Sequence, residues 1–491
     1  MNKTNHPSAF IPYPSYKDSG VQWLGDVPKH WERHPNRALF YERNKKNNPE
    51  MELLSVTITK GVIRQKELIS NTSKKDSSNE DKSKYKLVKQ GDIAYNKMRM
   101  WQGAVGASKY EGIVSPAYII VHPRGGMDEW FYHYLFRSPK YIKESHRYSY
   151  GICDDQLSLR IDDFKRIFTP KPQLEEQRQI VKFLDYKTAQ IARFIKAKKR
   201  MIELLKEQKQ VIINDAVTGK IVIKDEGGRL KAEKRPDSSF IPHPSSFLQT
   251  VPEGWEVRRL RTIATVKPSG VDKKSHEGEL PVQLCNYVDV YKNQEINSSL
   301  NFMKATATPE EIKNFTLIPG DIVITKDSET WKDIAVPAIV TENMDVVCAY
   351  HLALIRTNTQ EITNKYLYRA ISADPIADHF RVSANGVTRF GLSQGAIKDA
   401  PIPMPSIQEQ SQIVSYIETK TAALALTISR TEREIALIQE YRTRLISDVV
   451  TGKIDVRDIK IPDSAGIDDT IDESIDEPDG EEELETAEAE E

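Results

Sequence analysis

The chain has 491 residues with 70 Lys and Arg, 71 Asp and Glu and a formal net charge of −1, yet its last 31 residues hold 15 acids and no base. Set those aside and 56 acids face 70 bases, a body of +14 that attracts a polyanion. Cys153, Cys285 and Cys348 lack the spacing of a disulfide framework or a zinc site, and no apolar run reaches bilayer length, so a metal-free cytoplasmic chain with no membrane role is expected.

In chain order, residues 1–171 read as a first globular domain that opens on FIPYPS at 10–15 and on Val27-Pro28 with Trp31. Short β-branched or aromatic runs, Leu53 to Thr59 and Ile113 to Val121, predict strands, and the polar stretch 71–84 predicts a solvated loop. Gly91-Asp92-Ile93 predicts a turn entering a strand. After it come Asn96, Lys97, Arg99, Trp101 and Gln102, side chains able to bond base edges or phosphates with an aromatic among them. A second polar stretch, Tyr150-Gly151 to Arg160, precedes the next element.

From Gln177 to Ala216 Gly and Pro are absent and apolar residues recur at three, four and seven, which predicts a long helix within an arm at 172–221. Leu184, Ile191, Leu205 and Ile212 lie on one heptad seam with Lys198 at its middle, and Ile195 and Ile202 widen it. The arm ends at Thr218-Gly219-Lys220-Ile221, where glycine suits a left-handed stop. Residues 222–239 read as a linker.

The whole pattern then returns. FIPHPS at 240–245 and Val251-Pro252 with Trp255 open a second domain, 240–404, with strand-like runs at Leu317 to Thr325 and Val346 to Ile355. Gly320-Asp321-Ile322 leads into Lys326, Asp327, Ser328, Thr330, Trp331 and Lys332, and Asn385 to Gln394 adds Arg389 and Gln394 as further candidate DNA contacts. PSIQEQSQIV at 405–414 repeats PQLEEQRQIV at 172–181, and VTGKI at 450–454 repeats 217–221, both offset by 233. A second arm, 405–454, follows, its seam made of Ile417, Leu424, Ile428, Ile435, Ile438 and Leu445 with Thr431 at the middle. A period this long means tandem domains. Each arm would run about 60 Å. Seams so long need a helical cover, and the expectation is that the two arms pair antiparallel within the chain about a pseudo-twofold axis, an intermolecular coiled coil being the alternative; Lys198 and Thr431 could fix register, or the lysine could simply snorkel out of the seam. The fold class expected is therefore two α/β (α+β) domains with mixed sheets, separated by an intramolecular coiled coil, and an acidic disordered tail over 455–491.

Catalytic signatures are missing. No GxxxxGK[ST], HExxH, GxSxG or Asn/Asp-Pro-Pro-Tyr tetrapeptide occurs, and Ser115-Pro116-Ala117-Tyr118 lacks the second proline. The reading is a non-enzyme that selects a site. A stand-alone enzyme with an unrecognised nuclease or methyltransferase site, and a purely structural coiled-coil protein, are the alternatives.

The set formed by Ser19-Gly20-Val21-Gln22-Trp23-Leu24-Gly25-Asp26-Val27-Pro28-Lys29-His30-Trp31, the Pro-x-x-x-x-Glu-Gln opening of each arm (Pro172 to Gln177, and Pro405 with Glu409-Gln410) and Val-Thr-Gly-Lys-Ile closing each resembles the specificity subunit of type I restriction-modification systems. The likeness spans about residues 10–458; the second domain keeps Pro252-Glu253-Gly254-Trp255 but lacks the Trp-Leu-Gly element, and the acidic tail is outside the pattern. The resemblance implies two target recognition domains, each reading half of a bipartite, asymmetric double-stranded DNA target. It implies two adenine-N6 methyltransferase subunits as partners, with restriction subunits as a further partner. S-adenosylmethionine, ATP and Mg would belong to those partners, none to this chain.

Overall fold

The computed structural model describes residues 11–70, 82–152, 156–227, 229–243, 245–357 and 360–462. The chain divides into two compact units, Met1–Arg200 with Thr431–Glu491, and Met201–Arg430. Each unit takes part of each arm.

In unit 1 the central sheet is built from β1 (Phe40–Glu42), β2 (Ile93–Asn96), β3 (Val105–Ala107) and β4 (Tyr118–Pro123) in the order β1-β4-β2-β3, all antiparallel. In unit 2, β5 (Ala264–Pro268), β6 (Glu295–Ile296), β7 (Ile322–Thr325), β8 (Pro337–Val340) and β9 (Leu352–Thr357) run β5-β9-β7-β8-β6, with only β6 parallel to its neighbour. Four strands therefore keep one order in both copies. The α/β (α+β) domains expected from the sequence thus carry an antiparallel central sheet in unit 1 and a mixed one in unit 2.

The repeated Gly-Asp turn explains itself in atoms. Gly91 and Gly320 have φ of +82° and +91°, and Asp92 and Asp321 behind them are buried. Asp92 accepts the Lys89 amide at 2.8 Å and the Arg43 guanidinium at 2.7 Å; Asp321 accepts Ile318 at 2.9 Å and is held by two Arg356 nitrogens at 2.6 Å. A buried carboxylate needs such partners. The buried carboxylate of each turn thus braces the sheet from within.

The arms are α1 (Leu174–Val217) and α2 (Ile407–Val450), 44 residues each. In unit 1, Ile180, Phe183 and Leu184 near the start of α1 share a core with Leu445, Val449 and Val450 near the end of α2. In unit 2, Ile213, Ala216 and Val217 at the end of α1 share a core with Ile413, Val414 and Ile417 at the start of α2. Of the expected seam, Leu184, Ile191, Ile195, Ile202, Ile417, Ile435 and Leu445 are buried, whereas Leu205, Ile212, Leu424, Ile428 and Ile438 are half-buried. Ile213 takes the place expected for Ile212. Over the four heptads from Leu184 a straight helix drifts by about 20° each, close to one residue's rotation. Thr431 is buried, but Lys198 reaches Glu434 at 2.8 Å, one turn further along α2.

Two expectations at the arm ends change. The expected linker carries a hairpin, Ile221–Glu226 against Arg229–Lys234. The tail is not free from residue 455: Val456 is buried in the unit 1 core with Ile459 and Ile461 against it, and Gln179 donates to the carbonyls of Val456 and Ile459 at 3.0 and 2.8 Å. Residues 463–491 and most of the expected loop 71–84 lie outside the described residues.

Candidate nucleic-acid interface and its supports

The repeated motifs meet in three dimensions. The Trp31 indole donates to Glu176 at 3.0 Å, and the same carboxylate accepts Tyr13 at 2.7 Å and contacts His30 at 2.8 Å. In the second copy the Trp255 indole lies 3.5 Å from Glu409, which also closes a capping box with Ser406. The neighbouring glutamines are wholly buried. Gln177 donates to the Pro172 carbonyl at 2.8 Å and accepts the Asp128 amide at 2.9 Å. Gln410 donates to Glu361 and Pro405 carbonyls at 2.8 and 3.1 Å and accepts the Thr363 amide at 2.9 Å. Each arm is thereby fastened to its own domain. The far ends cross over: Gly452 of α2 lies against Pro28 and Trp31, and Gly219 of α1 against Pro252 and Trp255.

The two polar stretches that sequence places in each domain come together as one patch. In unit 1, Asn96 ends β2 and its side chain accepts the Met98 amide at 3.0 Å. The Lys97 carbonyl accepts the Leu159 amide at 2.8 Å, which ties the strand-following loop to the stretch before the arm. Arg99 and Gln102 lie 3.4 Å apart, and the Trp101 indole donates to Met98 at 2.9 Å with its ring 5.7 Å from that of His146. In unit 2 the Lys326 carbonyl accepts the Leu392 amide at 3.0 Å, the same link, and Asp327–Ser328 pairs as a short strand with Phe390–Gly391.

Within that second patch the side chains divide. Trp331 is 48% exposed with the Lys332 ammonium 5.9 Å from its ring centre. Thr330 caps the turn by accepting the Lys332 amide at 3.1 Å. Ser328 is corrected as a contact: it is buried, its hydroxyl 3.1 Å from that of Tyr287, because it lies on the inner face of the added strand. Gln394 donates to the Val266 carbonyl at 2.9 Å and so anchors the stretch to β5. Lys326 pairs with Asp327 at 3.0 Å.

His351, which sequence reading missed, organises the rest. Its ring is 6% exposed; Asp327 lies 3.3 Å from Nδ1, and the Arg389 Nη2 lies 3.0 Å from Nε2 and 3.3 Å from Nδ1. Burial pushes the imidazole below its ordinary value and Arg389 pushes the same way, against Asp327. A neutral ring follows, which leaves Arg389 exposed yet positioned. A lone histidine beside Tyr350 carries no periodic signal, so nothing in the sequence marks it. Among the described residues no cluster of His, Cys, Asp or Glu suits a metal, and no helix is long and apolar enough to cross a membrane.

Each unit thus holds a copy of one α+β domain with a polar patch that includes lysine and arginine. Residues 252–436 match the family model of the type I restriction modification DNA specificity domain. The chain is 23% identical over 330 residues to the type I restriction enzyme EcoBI specificity subunit of Escherichia coli, covering 66% of this chain and 65% of that one. It is 20% identical over 393 residues to the MjaVIII specificity subunit of Methanocaldococcus jannaschii, covering 76% and 81%. The match to the EcoBI subunit thus spans just under two thirds of that relative's length. A chain from the solved structure on complex assembly and conformational transition of the type I R-M system shares the fold, with a TM-score of 0.60 at 14% identity over 87% of this chain and 99% of that one. These likenesses are all to type I restriction-modification specificity subunits.

Proposed function

We infer that this chain is the non-catalytic DNA-recognition subunit of a type I restriction-modification complex, each unit reading one half of a bipartite, asymmetric target. The observation that carries the reading is the recurrence, in two domains of different sequence, of one composite patch tied by Leu159 to Lys97 and by Leu392 to Lys326. Asn96, Lys97, Arg99, Trp101 and Gln102 in the first patch, and Lys326, Thr330, Trp331, Lys332 and Arg389 in the second, are the proposed contacts, with Gln394 in support. Different readers in the two copies imply unlike half-sites.

The arms serve as the spacer. Paired antiparallel as one coiled coil with pseudo-twofold symmetry, helices of 44 residues span roughly 66 Å, enough to hold readers over half-sites about 34 to 36 Å apart. Linked readers bind the second half-site at high effective concentration only when the separation fits. The arms also leave Phe194, Leu204, Val211, Leu426, Leu437 and Tyr441 exposed. Apolar surface of that kind suits the docking of two methyltransferase subunits, with restriction subunits joining them. S-adenosylmethionine, ATP and Mg are assigned to those partners, and the complex to the cytoplasm.

The test lengthens the arms. Four residues added to each helix at its middle, in cells that supply the methylation partners, should change the preferred spacer by about one to two base pairs, a rise of about 5.4 Å set against about 3.4 Å per base pair. Mapping methylated adenines genome-wide reads the spacer directly, and an unchanged motif sinks the ruler.

A further inference from the structure

His351 stands at a register that the first copy fills with a residue of another kind. The amide that follows the Gly-Asp strand donates to the carbonyl at that register in both units, Lys97 to Ala117 at 3.4 Å and Lys326 to His351 at 2.8 Å. An alanine suffices there in unit 1, so the shared architecture does not call for an imidazole in unit 2. Its polar partners fix its state. The ionised Asp327 carboxylate can only accept and the Arg389 guanidinium can only donate. With Asp327 3.3 Å from Nδ1 and the Arg389 Nη2 3.0 Å from Nε2, the ring carries its proton on Nδ1 and offers the Nε2 lone pair to the arginine. Asp327 is itself held by the Lys326 ammonium at 3.0 Å.

Arg389 is exposed and, among the described residues, forms no ion pair; the histidine is what holds it. It lies in the segment 385–391, closed by the bridge between Asn385 and Gly391, beside the ribbon that Asp327–Ser328 makes with Phe390–Gly391. A two-stranded ribbon fits the major groove of duplex DNA. Ordering a free arginine costs side-chain entropy, and a point contact to phosphate does not require that order. A bidentate bond does, because two nitrogens must meet two acceptors in one plane. Among base edges in the major groove, guanine sets O6 and N7 side by side for such a fork. We propose that Arg389 reads a guanine in the half-site of unit 2 and that His351 is the positioning residue that aims it. This rests on the DNA-reading function above and names the base that one side chain reads.

The test uses the full chain with its methylation partners. Genome-wide mapping of methylated adenines first defines the wild-type motif; R389A, whose side chain is exposed, should then relax one G·C position in one half-site and leave the other half-site unchanged. On duplex DNA bearing the mapped target, 7-deazaguanine at that position removes the N7 acceptor. It should weaken wild-type binding about tenfold, the worth of one hydrogen bond to a charged group, and leave the affinity of R389A unchanged. H351L removes the ring nitrogens and should lose most of that penalty at that guanine alone, whereas H351Q, whose side-chain oxygen still accepts from Arg389, should keep it. A motif lacking guanine in both half-sites, uniform weakening by R389A with an unchanged motif, as a phosphate contact gives, or equal 7-deazaguanine penalties in wild type and R389A would each overturn the proposal. An undiminished penalty in H351L, or a penalty lost in H351Q, would remove His351 from its role; where H351L does not fold, the H351Q result alone upholds or removes it. A wild-type chain that yields no motif at all would instead remove the DNA-reading function, and this inference with it.

Discussion

Replacing Gln410 by leucine keeps the side-chain volume near that of glutamine and removes three hydrogen bonds at once. The Thr363 amide loses its acceptor, and the Glu361 and Pro405 carbonyls lose their donor. Gln410 is wholly buried, but Glu361 is exposed and Thr363 only half-buried, so water reaches part of the damage. An orphaned amide costs about 1 to 3 kcal/mol and a carbonyl with a second lone pair less, so the loss should be about 3 kcal/mol. Gln177 has two such bonds, and Q177L should cost about 2 kcal/mol. Q410E is the sharper probe. Its carboxylate still accepts from Thr363 yet turns an acceptor toward two carbonyls, so it should destabilise at least as much as leucine. Because the chain has two compact units, a single unfolding midpoint is a poor readout. Hydrogen exchange at the Thr363 amide and in the first turn of α2 reports the local loss. If Q410E protects these amides as well as glutamine does, the argument that this motif fastens arm to domain is wrong.

The crossed arm ends predict a graded response to added methyl groups. G219A must accept φ of +71° and displace Pro252, whereas G254A meets only its φ of +84°, with no atom within 4 Å. Left-handed backbone alone costs about 1 to 2 kcal/mol, so G219A should lower the melting temperature of unit 2 more than G254A, and equal shifts would refute the docking of Gly219 on Pro252. Acid should weaken both units above the carboxylate range. His133 and His351 are each held below the ordinary imidazole value, chiefly by burial, while the unfolded chain takes up protons near pH 6.5. The unfolded state then binds more protons, so stability is full above about pH 6.5 and falls by about 1.4 kcal/mol per pH unit per histidine until the folded ring titrates. Thermal melts between pH 7.5 and 5.5 should show the slope, and H133Q, which still accepts the Ala107 amide, should flatten it. A flat wild-type profile would contradict neutral rings. At the patch, K332A should reduce the salt slope of DNA binding by about one, since an exposed lysine acts on phosphate; an unaltered slope removes it from the contacts.

Duplication, arm length and the roles of arm-closing glycine and Gly-Asp turn could be read from the sequence, because each rests on local rules: helical periodicity, absence of breakers, and backbone that only glycine tolerates. The seam is legible in part: Leu205, Ile212, Leu424, Ile428 and Ile438 are only half-buried, and at Ile212 heptad counting ignores the drift of a 3.6-residue helix, which buries Ile213 instead. Tertiary structure alone decided the rest. Glu176 and Gln177 look like any acidic helix start until Trp31 and Asp128 arrive beside them, and Ser328 looks like a reader until an added strand buries it. His351 gains its role only from Asp327 and Arg389, 24 and 38 residues away. Local chemistry sets which backbone each segment can adopt, but which side chains lose water, and what replaces it, is fixed by neighbours the chain supplies from far along its length.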